Sequence, residues 1–159
     1  MNYLFALTIV AAAAVLGGVT ACGGDERLSR DHFSGRMQSI GERGGELWGR
    51  LAQRAENLDP DEPLPADVKQ ALTEVVEFQE QAVAELEALN PPEAAEEPAE
   101  MLIEALRERT VTFEQVFEAG RFTPRNVARV TQAGEKIDRA FEQLREEGFL
   151  PIADEHEDE

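Results

Sequence analysis

The side chains with most chemical capacity are few: one cysteine, two histidines and a surplus of carboxylates, 33 Asp and Glu against 15 Lys and Arg. A ferritin-like di-iron site requires Glu-x-x-His on two inward helix faces. His32 has Ser29 three residues before it and His156 has Ala153, so that ligand set cannot be assembled. A haem would need an axial histidine within a helix core, or Cys-x-x-Cys-His; a lone Cys and an edge-placed His32 supply neither. No Ser or Cys stands in a nucleophile-elbow context, and no histidine has a helix-fixed carboxylate partner. Carboxylate pairs such as Glu77 and Glu80 are, in so acidic a chain, first of all a solvated helix face. Asp59, Asp61 and Glu62, and the tail Asp154 to Glu159 around His156, lack the glycine turn and alternating oxygens of a calcium loop. The expectation is a protein that is not an enzyme, with no catalytic residue, no metal and no cofactor.

The cysteine is different, because of what precedes it. Residues 3–16 are an almost unbroken apolar run, followed by Gly17, Gly18, Val19, Thr20, Ala21 and Cys22, after which the composition turns polar. Such a run reads as an export signal rather than a folded element. Val19-Thr20-Ala21-Cys22 resembles the lipobox of bacterial lipoproteins, whose cysteine receives a diacylglyceryl group. The resemblance covers the first 22 residues. It implies cleavage after Ala21, a palmitate-type lipid on Cys22, and a mature protein held on a membrane of the cell envelope outside the cytoplasm. Two or more acyl chains anchor stably, at roughly 0.8 kcal/mol per buried CH2. Met1-Asn2 departs from the usual pattern in having no Lys or Arg. The competing reading is an uncleaved anchor, since residues 3–21 approach the ~20 residues of a spanning helix. A single cysteine cannot belong to an intramolecular disulfide.

Removing residues 1–21 from 159 leaves 138, enough for one domain with a real core. All charged residues follow the signal, so the net charge stays at −18, which argues against nucleic acid and against binding anionic lipid by charge.

The elements that must position these residues are helices. After a tether over 22–28, apolar or small residues fall at Phe33, Met37, Ile40, Gly44, Leu47, Leu51, Ala55 and Leu58, a three-and-four spacing that predicts a helix over about 29–58. The prolines at 60, 63 and 65 break it. Val68, Leu72, Val75, Gln79, Ala82, Leu86 and Leu89 predict a second helix over 66–89, ended by Asn90-Pro91-Pro92. A third, over 98–119, carries Ala99, Leu102, Leu106, Phe113, Val116 and Phe117, with first-turn Pro98 and a Gly120 stop. Thr123-Pro124 opens a fourth, over 124–147, with Val127, Val130, Gly134, Ile137, Phe141 and Leu144. Four amphipathic helices on short loops imply an all-α domain over 29–150, an antiparallel up-down-up-down four-helix bundle of coiled-coil-like packing, with an acidic disordered tail over 151–159. The segment Leu86 to Glu93, a leucine-ended helix meeting a double proline, looks like a connection in small helical lipoproteins of bacteria and implies a similar bundle, not an activity.

Two irregularities stand out. The first helix contains Gly35, Gly41, Gly44, Gly45 and Gly49, each costing about 1 kcal/mol relative to Ala. They mark either close helix contact beside Trp48, a binding groove or hinge near Gly44-Gly45, or a break in the helix. Second, residues 59–97 carry twelve acids against Lys69 alone, whereas 25–58 balance six acids with six arginines. The second helix is therefore the acidic face, and a charged partner should be cationic or a protein. The expected function is a membrane-anchored, non-enzymatic binding or scaffold module. The rival is a small-ligand or metal carrier holding cargo between helices near Gly44, Trp48 and Gln79. Helical periplasmic chaperones are disfavoured because Leu72-Thr73 is followed by Glu74, Val75 and Val76 rather than their Leu-Thr-x-x-Gln.

Overall fold

The computed structural model describes residues 27–56, 58 and 62–151. Cys22 with its lipobox, Asp59, Asp61 and the His156 tail lie outside them. The described residues form a four-helix bundle and contain no strand.

Helix α1 (Arg30–Ala55) starts at Ser29, whose hydroxyl accepts a hydrogen bond from the His32 amide at 3.4 Å, as a capping serine should. It runs without interruption through Gly44-Gly45 and stops three residues short of Leu58. Helix α2 (Ala66–Ala88) follows Pro65, which is extended. A single 3-10 turn at Glu93–Ala95 feeds directly into α3 (Glu96–Ala119), which begins two residues before Pro98. Gly120 ends α3 with φ 64°, a left-handed conformation that glycine adopts without a Cβ clash. Its carbonyl then accepts from the Leu64 amide at 2.8 Å, tying the approach to α2 to the α3–α4 turn. Helix α4 (Pro124–Glu146) has Thr123 as its cap, accepting from the Asn126 amide at 3.2 Å.

The core falls into two apolar clusters. One gathers Phe33, Met37, Phe78, Leu86, Leu102 and Leu144 around an edge-to-face Phe33–Phe149 pair with centroids 5.5 Å apart. The other gathers Leu51, Leu64, Leu72, Val75, Phe113 and Val116. Each large side chain buried this fully contributes roughly 1.5–3 kcal/mol. The seam periodicity of α2 reappears as burial from Val68 to Leu86.

The seams are not equal. Backbones of α1 and α2, of α2 and α3, and most extensively of α3 and α4 approach closely, whereas α1 and α4 make no comparable approach. These two meet through side chains, as where the ring of Phe141 lies against Gly41. The open α1–α4 seam positions the candidate site.

Candidate functional site

Between the two apolar clusters lies a polar layer. Gln79 is fully buried on α2, at a seam position that the heptad pattern reserves for an apolar residue. Its amide nitrogen donates to the Val75 carbonyl at 3.2 Å. Its Oε1 accepts from Arg109 Nε on α3 at 3.2 Å and from the Thr110 hydroxyl at 3.5 Å. A buried amide is tolerable only when its polar atoms are matched in this way.

Arg109 in turn lays its guanidinium over the indole of Trp48, 5.1 Å from the ring centroid, in cation–π geometry. Trp48 stacks on Phe113 at 6.3 Å with 30° between the rings. Burial lowers the Arg109 pKa from 12.5 to about 10, with Asp138 acting in the opposite direction. The group therefore stays cationic at neutral pH. Among the described residues no carboxylate lies within 4.0 Å of it.

Trp48 is the common wall of two depressions along the α1–α4 seam. The larger, about 600 Å³, is lined by Leu51, Ala52, Phe113, Phe122, Val127 and Val130, with Glu62 and Thr131 among the few polar residues. The smaller, about 420 Å³, has Gly41, Gly44 and Gly45 on one side, Ile137 and Phe141 on the other, and Arg109 in its lining; Asp138 and Arg145 also border it. Both volumes lie in the range of ordinary ligand sites, about 300–1,000 Å³. Trp48 keeps 38% of its surface exposed and Val127 48%, so the apolar seam opens to solvent.

Comparison with known proteins adds no relative: no family model, no curated protein and no solved structure matches this chain.

The glycines divide by function. A Cβ on Gly44 would stand 3.1 Å from Phe78, and one on Gly41 would stand 3.4 Å from Phe141, so these two admit neighbouring rings. A Cβ on Gly45 or Gly49 would meet nothing within 4 Å. Close packing thus occurs at Gly41 and Gly44, Gly45 faces open space beside the smaller depression, and α1 is unbroken through all three. The structure brings Gly44, Trp48 and Gln79 into one neighbourhood. It leaves His32, Glu77 and Glu80 exposed on the surface, and among the described residues no group of three His, Cys, Asp or Glu could hold a metal ion. Sequence reasoning missed Arg109. The signal was present, since Leu102, Leu106, Arg109, Phe113 and Val116 continue a four-three-four-three alternation with a cation at its centre.

Proposed function

We propose that this chain is a lipid-anchored, extracytoplasmic binding module of the cell envelope, non-enzymatic, and that its binding surface is the α1–α4 groove. The observation that carries the reading is the α1–α4 seam, left open among the described residues: an apolar depression beside a half-buried cation. On this reading the site is the cavity between helices that the carrier reading favoured, rather than the acidic helix. The anchor rests on the resemblance of Val19 to Cys22 to a lipobox, and the scaffold is taken as an antiparallel, up-down-up-down arrangement of the four helices. Contacts between the Arg30 end of α1 and Glu147, and between Leu64 and Gly120, support that arrangement. No helix among the described residues is long and apolar enough to cross a membrane.

Two measurements test the reading. Intact mass spectrometry of the protein from its native membrane should show a lipid-modified chain beginning at Cys22, and Cys22→Ala should abolish it; an unmodified mass retaining Met1 would sink the anchor. Trp48 is the single tryptophan, so a neutral naphthylamine probe entering the groove should quench its emission saturably. Val127→Glu should weaken this.

Charge favours a second reading for a different face. Helices α2 and α3 carry thirteen acids against three bases, while α1 and α4 carry ten bases against seven acids. A cationic protein partner would dock on the α2 side, in a salt-sensitive complex, and nucleic acid would be repelled.

A further inference from the structure

We propose that the ligand of the groove is an amphipathic monoanion, an aliphatic carboxylate whose head pairs with Arg109 and whose chain lies beyond Trp48 in the larger depression. The inference rests on the groove being the binding surface and adds the chemistry of its occupant.

The head group follows from what Arg109 has and lacks. A guanidinium offers five N–H donors in a fixed fork. Gln79 accepts one of them, from Nε, and the indole face covers the cation without accepting a conventional hydrogen bond. No carboxylate among the described residues completes the pair. A cation partly withdrawn from water with no carboxylate in direct contact is costly, and a directly paired anion offsets that cost. Asp138, whose charge acts on Arg109 from beyond 4.0 Å, and Arg145 also border the depression, so its three charges sum to one positive charge in excess. One excess charge matches a monoanion. A carboxylate also fits the fork of an arginine bidentately.

The wider electrostatics point the same way. The groove lies between the two helices on which bases outnumber acids, in a chain whose net charge is −18. An anion is therefore admitted on this face and repelled by the α2 and α3 face.

The tail follows from the shape. From Trp48 to Ala55 the wall of α1 extends about 10 Å at 1.5 Å per residue, and its floor is formed by Leu51, Phe113 and Val130. This is a slot for a single chain of medium length. Glu62 lines this larger depression, which disfavours placing an anionic head there and fixes the direction of the occupant. Glycine at 45 leaves the α1 wall beside Arg109 without a side chain that would block the head.

The test uses the full chain in phosphatidylcholine vesicles at pH 8, with protein-free vesicles as the partition blank and Trp48 emission as the readout. Three ligands share a ten-carbon chain and differ in the head: decanoate, decan-1-ol and decyltrimethylammonium. Decanoate should change the emission saturably, decan-1-ol should bind at least about tenfold more weakly, as expected for loss of a charge-assisted contact, and the cation should not bind. Arg109→Gln should bring decanoate down to the affinity of decan-1-ol, removing the difference between the two heads, with the fold checked by circular dichroism. Arg109→Lys, which keeps the charge and loses the fork, should fall between. Equal affinity for decanoate and decan-1-ol in the unaltered chain would overturn the carboxylate while leaving the groove as a binding surface. No saturable response to any of the three would overturn the groove itself.

Discussion

Gln79 holds the polar layer together, because its side chain is the point at which α2 fixes a cation belonging to α3. Gln79→Leu keeps the approximate volume but removes the acceptor for Arg109 Nε. Urea unfolding should show a loss of about 1–3 kcal/mol, the cost of stranding a donor in a desolvated site. The double variant Gln79→Leu with Arg109→Leu should recover much of that loss, because the stranded guanidinium is removed together with its acceptor and only the half-buried Thr110 hydroxyl loses a partner. If the two losses simply added, the polar layer would not be a coupled unit. Lys136 offers a second test at this scale. Its pKa is raised above 10.5, first by its 2.8 Å hydrogen bonds to Glu108, and then, after an opposing desolvation, by the charges of Glu108 and Glu104. A raised folded-state pKa means that the pair's stabilisation is fully present below pH 10.5 and is lost as pH climbs through the raised value. The stability difference between the native chain and Lys136→Met should be constant from pH 7 to 10 and shrink above that.

At the scale of the helices, α1 contains its own internal control. Gly45→Ala places a methyl group in open space within a helix, so it should stabilise the protein by about 0.5–1 kcal/mol through propensity alone. Gly44→Ala meets the Phe78 ring at 3.1 Å, and its gain should be cancelled or reversed by displacement of the ring. Equal melting temperatures for the two variants would count against that distinction. The same helix shows what sequence could and could not supply. Apolar spacing was enough to locate all four helices, because the seam positions of α2 are buried from Val68 to Leu86 and Gly120 and Thr123 carry local signals that no tertiary contact needs to complete. Spacing also assigned Val127 to the same face as Val130 and Ile137. Val127 is nevertheless half exposed, since periodicity identifies which face is apolar and not whether a neighbouring helix closes over it. Leu64, Ala95 and Phe149, all buried, sit in connections where no period exists to be read. Arg109 escaped notice for a related reason: a cation on a seam looks like an interruption until its partners on two other helices are seen.

For the whole molecule, charge is distributed as a dipole across the bundle, with α2 and α3 acidic and the groove face slightly basic. Self-repulsion on the acidic side weakens the folded state at low ionic strength. Thermal melts should shift upward as NaCl is raised from 20 to 500 mM, because the Debye length contracts from about 20 Å to a few Å and the repulsion is screened. A melting temperature that fell with salt would mean that the attractive pairs, such as Arg107–Glu87 and Lys136–Glu108, outweigh the like-charge field.

The start of the described chain is fastened to one end of the bundle. The Leu28 amide donates to the Asn90 carbonyl at 2.8 Å, and the Arg27 guanidinium reaches both the Pro91 carbonyl at 3.1 Å and the Glu96 carboxylate. With the proposed anchor at Cys22, four residues lie between the lipidated cysteine and Arg27, a reach of at most about 18 Å. The bundle would then stand on the bilayer like a short post, its double-proline loop downward. Trp48 lies about 27 Å up the axis of α1 from Arg30, so a ligand of the proposed groove would enter and leave above the headgroups rather than from the leaflet beneath.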